Sequence, residues 1–233
     1  MFCQSAEFYD VIYSALKDYA AESAEIARLL RQLHPECRTV LDAACGTGEH
    51  ARWLETHGFD VDGFDLDPAF VRIAQQKLPA RRFVEADMAD FHLGRRYDAA
   101  VCLFSSIGYL KTLDRIAQAL GCFREHLEPD GVILVEPWFP PGGLDPNRVS
   151  KNGGEANGVS VMRTSRVEID GRLSRLFFDY EITDRAGTRH VSEMHELGLF
   201  TPAEMLQTFE QAGLEARFDP QGPAGRGLYV GRR

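Results

Sequence analysis

Among the residues that could do chemistry, the most informative run is Val40-Leu41-Asp42-Ala43-Ala44-Cys45-Gly46-Thr47-Gly48, a buried strand entering a loop of small residues and then a helix. Small side chains there let a ligand touch the backbone. In an open α/β sheet the ligand crevice lies outside the carboxyl ends of the strands, so the residues ending successive strands are read together. They are acidic: Asp42 ends the first, Asp65 the second, Asp87 follows the third and Glu136 ends the fifth. A phosphate cradle would not be lined with anions.

Several carboxylates beside a glycine loop suit a ligand that offers hydroxyls, amines and positive charge. S-adenosylmethionine has a ribose diol, an adenine amino group, an ammonium and a sulfonium. Asp65 falls 19 positions after Gly46, near the interval of about 20 residues at which an acid meets a ribose in nucleotide-binding βαβ units. Asp87 is spaced to meet the adenine. Gly46, Gly48 and Ala51 also satisfy G-x-G-x-x-A, which keeps an NAD-dependent oxidoreductase as a rival. Against that rival, Asp42 would set a negative charge near a pyrophosphate.

These residues need strands and helices to place them. Strands are expected at Thr39–Ala43, Phe59–Asp65, Arg82–Glu85, Asp98–Phe104 and Gly131–Glu136, alternating with amphipathic helices. One helix carries His50, Trp53, Leu54 and His57 and stops at Gly58; Asp67 and Pro68 open the next, which ends at Pro79; a third carries Ile116 to Leu127. The pattern predicts an α/β, Rossmann-like, doubly wound, mostly parallel sheet. A helix over Ala20 to Leu33 precedes it as a cover. Pro140 to Gly158 reads as a loop, followed by three antiparallel strands, Val159–Ile169, Arg172–Thr183 and Thr188–Phe200, with hairpin turns at Asp170-Gly171 and Asp184–Gly187. Thr201 and Glu204 form a capping-box signature for a last helix ending at Gly213, and Leu228–Arg232 is the closing antiparallel strand. The expected organisation is one domain over 1–233: a cover (1–37), a cofactor-binding core (38–137), a loop and lid or dimer segment (140–200), and a last helix and strand (201–233).

Composition sets the outer limits. The chain has 233 residues, 26 Lys plus Arg, 35 Asp plus Glu, a formal charge of -9 and 44% apolar residues. The acidic balance, without a local basic block, argues against nucleic acid as a partner. No apolar run reaches the ~18 residues of a membrane span, and Met1 to Asp10 lacks a signal-peptide pattern, so a cytoplasmic location away from membranes is expected. Cys3, Cys37, Cys45, Cys102 and Cys122 show no paired spacing and are read as reduced thiols; no metal site is expected.

The sequence resembles the class I S-adenosylmethionine-dependent methyltransferases over essentially the whole chain. Leu41 to Gly48 looks like the family's first motif with Ala44 in place of its first glycine, Asp65 matches the ribose-binding acid, and Ala86-Asp87-Met88 matches the adenine-binding acid and its apolar neighbour. Within that family it resembles the N-methyltransferases of nucleotide-linked amino sugars, which make N,N-dimethylamino sugars for macrolide-type antibiotics and are usually homodimers. The narrower resemblance rests on Glu7-Phe8-Tyr9-Asp10, Lys17-Asp18-Tyr19, Cys102 to Gly108, Val135-Glu136-Pro137-Trp138 and Gly222 to Leu228. Two departures lie near the sugar: the resemblance implies His at the position of Tyr109, and a tyrosine upstream of any residue present here.

The resemblance implies S-adenosylmethionine as cofactor, S-adenosylhomocysteine as product, and a cofactor set of Tyr19, Asp42, Ala44, Gly46, Gly48, Asp65, Leu66, Asp87, Met88 and Phe104. Catalytic candidates are Tyr109, His195 and Glu136, because an amine attacks only when deprotonated. Each has a plainer alternative: Tyr109 as an aromatic closing a loop, His195 as a packed histidine, Glu136 as the partner of a backbone donor. Tyr9, Ser106, Trp138 and Arg226 are the substrate-side candidates, Trp138 by stacking and Arg226 by its planar fork. The expected activity is methyl transfer to a small molecule, foremost the amino group of a nucleotide-linked amino sugar. Another small metabolite as acceptor, and a non-catalytic S-adenosylmethionine-binding module, are the alternatives.

Overall fold

The computed structural model describes residues 6–223 and 225–233. Cys3, and Ala224 within the Gly222 to Leu228 segment, lie outside the described residues. Among the described residues, six α-helices and eleven strands follow in the order α1 (Tyr9–Leu16), α2 (Tyr19–Leu33), β1 (Thr39–Ala43), α3 (Glu49–Thr56), β2 (Asp60–Asp65), α4 (Pro68–Lys77), β3 (Phe83–Glu85), β4 (Tyr97–Cys102), α5 (Leu113–His126), β5 (Leu127–Val135), β6 (Val149–Ala156), β7 (Val159–Asp170), β8 (Leu173–Asp184), β9 (Gly187–Gly198), α6 (Pro202–Gln211), β10 (Glu215–Asp219) and β11 (Leu228–Arg232).

The first sheet has seven strands in the order β10-β11-β5-β4-β1-β2-β3, and β11 runs antiparallel to both of its neighbours. The order reverses beside β1, so the β1 and β4 ends open a crevice between the loops that follow them. Apolar side chains cover both faces. Leu41, Ala100, Ile133 and Tyr229 pack with Phe123 and Phe209 on one side. Val40, Val101 and Leu134 pack with Ile26, Leu30 and Leu54 on the other. Consecutive strand residues thus alternate between two buried layers, which is why these strands read as apolar runs.

The caps follow the residue types. Asp18 accepts from the Ala21 N–H at the start of α2, Asp67 from Ala69 at α4, and Thr112 from Arg115 at α5. Thr201 and Glu204 complete the capping box of α6, an arrangement that satisfies two backbone donors reciprocally.

Beyond the crevice stands a second sheet, β6-β7-β8-β9, antiparallel throughout. Its inner face alternates along each strand: Val161, Arg163 and Ser165 on β7, Phe178, Tyr180 and Ile182 on β8, Glu193, His195 and Leu197 on β9, all buried. Register sets Phe178 opposite Glu193 and Leu176 opposite His195. Helix α1 packs against β6 and β7 and, with Phe8 just before it, closes this face through Ile12 and Tyr13.

Four elements correct the sequence reading. The Pro140 to Gly158 stretch is not loop throughout, because β6 pairs with β7 over its whole length, from Val149↔Arg166 to Ala156↔Val159. The insertion therefore has four strands instead of three. Helix α1 falls within the expected N-terminal helical cover but ahead of the one helix placed there, and the edge strand β10 was not expected. The fourth strand also stops at Cys102, and Phe104 turns out of it with φ 53°.

Candidate active site

Two cavities meet between the sheets. The first, of about 630 Å³, is lined by Ala44, Gly46, Phe64, Asp65, Leu66, Phe70, Ala86, Asp87, Met88 and Arg115, and by Met194 and His195 from the second sheet. The second, of about 520 Å³, lies under α1 and the second sheet and is lined by Tyr13, Phe104, Trp138, Asp145, Arg148, Arg163, Phe178 and Arg226, among others. Tyr9, Ser106 and Tyr109 line both. A group passed from one cavity to the other crosses these three side chains.

The first cavity is built by the β1 loop and the ends of β2 and β3. Ala44 and Gly46 both take positive φ, 54° and 55°, and a Cβ built on Gly46 would meet nothing within 4 Å. Asp65 fixes the loop: its Oδ2 accepts from the Gly46 N–H at 2.9 Å and its Oδ1 from the Asp67 N–H at 2.9 Å. Burial raises its carboxyl pKa against the pull of those donors. Asp87 accepts from the Ala89 N–H at 2.9 Å and pairs with Arg115 at 2.6 Å. Leu66, half exposed, and Met88, buried, supply apolar walls between the two acids.

Asp42 sits beneath this floor and does not line it. The side chain is buried, its Oδ2 has no hydrogen-bond partner among the described residues, and burial together with the nearby Asp65 pushes its pKa up to about 8. Its folded pKa thus exceeds the unfolded value of about 3.9, so the folded state holds the proton more tightly and loses stability relative to the unfolded chain as pH rises between about 4 and 8. Asp42→Asn removes that loss. The variant's apparent Tm gains on the wild type between pH 5 and pH 8, by at least ~2–4 °C for each kcal/mol recovered. A Tm difference independent of pH in paired thermal melts would contradict the raised pKa.

Tyr109 and His195 come together: Tyr109 Oη lies 3.3 Å from His195 Nδ1, and His195 Nε2 lies 3.4 Å from Glu193 Oε2. Burial raises the Tyr109 pKa and lowers that of His195, which Glu193 draws back up. Glu136 has a different setting. Its Oε2 accepts from the Phe104 N–H at 2.6 Å, and its Oε1 accepts from Arg226 Nε at 2.9 Å. It lines neither cavity and is no base facing an acceptor; it holds the Phe104 turn and the Arg226 fork. Ser105, beside that turn, donates its hydroxyl to the Pro137 carbonyl at 2.6 Å.

In the second cavity Arg163 is buried, donates to the Tyr13 hydroxyl at 2.7 Å and stacks 4.6 Å from the Phe178 ring centroid. Its Nε has no hydrogen-bond partner among the described residues. Trp138 donates to Ser174 Oγ at 2.9 Å, which fixes its indole in the cavity wall. Phe104 belongs to this wall instead of the first cavity's, with the Lys17 ammonium 3.8 Å from its ring centroid. Tyr19 lines neither cavity; it packs on His50 with ring centroids 4.9 Å apart. Gly48 caps α3, also away from both. Arg148, Arg163, Arg115 and Glu193 were not singled out from the sequence. For Arg163 and Glu193 the strand alternation with Val161 and His195 carried the signal.

Carboxylates at Asp65 and Asp87, apolar walls between them and a loop open to the backbone fit an adenosine bearing a cationic side chain. Fold and site together define a methyltransferase that uses S-adenosylmethionine. A family described as a methyltransferase domain matches residues 40–131. The chain is 40% identical over 228 residues to a dTDP-3-amino-3,4,6-trideoxy-alpha-D-glucopyranose N,N-dimethyltransferase of Streptomyces venezuelae, covering 97% of this chain and 96% of that protein. The crystal structure of Streptomyces venezuelae DesVI superposes with a TM-score of 0.93 over 98% of each chain at 40% identity. S-adenosylmethionine-bound CalS10, an amino pentose methyltransferase from Micromonospora echinaspora involved in calicheamicin biosynthesis, superposes with a TM-score of 0.85 at 33% identity, covering 95% of this chain and 94% of that one. The chain belongs to the class I S-adenosylmethionine-dependent methyltransferases, in the branch of the amino-sugar N-methyltransferases. No helix among the described residues is long and apolar enough to cross a membrane.

Proposed function

We propose that this chain methylates the amino group of a nucleotide-linked deoxyamino sugar. The observation that carries the reading is the meeting of two cavities of opposite character at Tyr9, Ser106 and Tyr109. One offers carboxylates to a cation and a diol. The other offers Arg148, Arg163 and Arg226, the last braced by Glu136 behind the wall, with Asp145 the one acid among its described lining residues, a donor set that suits a diphosphate, since guanidinium forks bind phosphate oxygens in pairs. Aromatic walls at Tyr13, Trp138 and Phe178 suit a sugar ring and a base.

When bound, S-adenosylmethionine supplies an electrophilic methyl on a sulfonium. The chain's own residues do the rest by placement. With the cofactor bound, Asp65 would accept from its ribose diol, Asp87 would face the adenine, Leu66 and Met88 would pack on its apolar faces, and Ala44 and Gly46 would let it approach the backbone. Ser106 and Tyr109 orient the acceptor nitrogen. Holding two reactants in line supplies about 7–11 kcal/mol of the barrier reduction. The reading carries with it a homodimer in the cytoplasm with no nucleic-acid or membrane partner; light scattering checks the assembly.

Incubation with S-adenosylmethionine and a panel of nucleotide-linked amino sugars, free amino sugars, hydroxyl and carboxylate acceptors tests it. S-adenosylhomocysteine release is expected with nucleotide-linked amino sugars at a kcat/KM at least ~100-fold above the free sugars, the loss expected when a diphosphate's charge-assisted contacts are missing. Equal turnover of free and nucleotide-linked sugars, or turnover of a carboxylate alone, would contradict it.

A further inference from the structure

An acceptor amine reaches neutral pH largely as an ammonium, with a pKa near 8 for an amine of the α-amino type. An ammonium has no lone pair, so one proton must leave before each methyl is accepted. Tyr109 stands at the junction where that nitrogen must lie. A neutral phenol is not itself a base, and burial opposes its ionisation. The proton therefore needs somewhere to go beyond the hydroxyl.

His195 is directly behind it. The imidazole is 1% exposed, wedged between Phe178, whose ring centroid is 5.1 Å away, and Tyr109. Nε2 faces Glu193 Oε2 at 3.4 Å. That contact has ion-pair length without hydrogen-bond alignment; beside the carboxylate, which only accepts, the neutral imidazole is favoured with its hydrogen on Nε2, and this leaves Nδ1 to accept from the Tyr109 hydroxyl at 3.3 Å. Glu193 is itself buried, 8% exposed, on the same inner face of β9. Other charged or titratable groups facing this cluster are Arg163 from β7, which opposes a charge on His195, Tyr9 and Tyr13 from α1, Tyr180 from β8 and Asp65 at the end of β2, whose charge raises the Tyr109 pKa further.

We propose that Tyr109, His195 and Glu193 form a proton relay that deprotonates the acceptor ammonium, with Tyr109 the catalytic residue, His195 the proton carrier behind it and Glu193 a positioning residue. The inference rests on the amino-sugar reading above. An N–H bond of the ammonium breaks as Tyr109 Oη takes its proton; the hydroxyl's own O–H bond breaks as His195 Nδ1 takes that proton. Tyr109 ends neutral, the amine ends neutral, and His195 ends as an imidazolium whose Nε2–H faces the Glu193 carboxylate. The imidazolium returns its proton to solvent between turnovers, so each methyl transferred releases one proton. No tyrosinate forms at any point. The order of groups, hydroxyl, imidazole, carboxylate, is that of a hydroxyl activated by a histidine that a buried acid orients.

Glu193→Gln keeps an acceptor for Nε2–H and removes the charge that favours the imidazolium. Its kcat with a nucleotide-linked amino sugar falls by about 10- to 100-fold at pH 7, less than the roughly 10²–10⁴-fold a positioned base contributes, because Tyr109 and His195 remain. The loss shrinks toward zero near pH 10, where the acceptor arrives deprotonated. The acidic limb of kcat/KM moves down by about one pH unit or more, as the His195 pKa falls without its anion. Tyr109→Phe, which keeps the ring and its packing, shows the same recovery at high pH. Independently of any acceptor, ¹⁵N chemical shifts of His195 in the S-adenosylhomocysteine complex report hydrogen on Nε2 in the wild type and a lowered pKa in Glu193→Gln. A parallel loss at every pH, an unmoved His195 pKa, or hydrogen on Nδ1 in the wild type overturns the relay while leaving amino-sugar methylation intact. Wild-type turnover with no amino sugar at all overturns the function reading and the relay with it.

Discussion

Asp65→Ala loses S-adenosylhomocysteine affinity by about 10²- to 10⁴-fold. A carboxylate accepting two hydroxyls makes two hydrogen bonds of the charged class, about 1.5–3 kcal/mol each, and 1.4 kcal/mol is a factor of ten. The same carboxylate anchors the Gly46 and Asp67 N–H groups, so the loop that admits the ligand loses its brace in the same substitution. Asp65→Asn retains one acceptor and loses less, about tenfold. Stability separates a binding defect from misfolding. Asp65 repels the buried Asp42, and its removal relieves that repulsion, so the unliganded Tm changes little. A ligand at 100 times its Kd stabilises the wild type by about 2.7 kcal/mol and the variant hardly at all. Calorimetry and paired melts measure both quantities; unchanged affinity in Asp65→Ala would remove the ribose assignment.

Arg226→Ala has a larger effect on stability and a separate one on the acceptor. Glu136 is 3% exposed and would keep only the Phe104 N–H. Breaking a buried pair by removing one partner costs about 3–5 kcal/mol, because the other charge stays behind. The acceptor KM rises by about 10- to 100-fold through the lost guanidinium contact. Adding Glu136→Gln to Arg226→Ala separates the two losses. Neutralising the stranded carboxylate recovers most of the stability and none of the KM. If the double variant recovered the KM as well, Arg226 would act on the acceptor only through Glu136.

The cofactor half of the site was legible because local signals coincide there. Small residues after β1, acids at the ends of β2 and β3 and helix caps such as Asp67 lie within 50 residues, and the chain order of these strands is nearly their order in space. Strand β6 was hidden by its own composition. Val149–Ala156 carries two glycines and little apolar alternation, yet a Cβ on Gly154 would lie 2.1 Å from the Val11 carbonyl oxygen. The glycine that disguises the strand is what lets α1 lie against it. The charged edge strand β10, Glu-Ala-Arg-Phe-Asp, was silent for a related reason: it buries little and is fixed by pairing with β11.

Long-range pairs were the hardest to read. Glu136 follows the last residue of β5 instead of ending the strand, its partner Arg226 is 90 residues away, and nothing local distinguishes an acid that meets substrate from one that holds an arginine. Tyr19 and Phe104 share the same difficulty, since the fold sends one to His50 and the other to the acceptor wall. Tyr109 and His195, 86 residues apart, were each visible as polar groups aimed at the crevice. Their contact, and the Glu193 behind it, required the second sheet.

A crystal structure with S-adenosylhomocysteine and a nucleotide-linked amino sugar bound together tests the central claim most directly. The adenosine is expected between Leu66 and Met88 with its diol on Asp65, the diphosphate among Arg148, Arg163 and Arg226, and the amine within hydrogen-bond distance of Tyr109 Oη and in line with the sulfur. A sugar nucleotide lying in the Asp65 cavity, or an amine facing away from Tyr109, would contradict it.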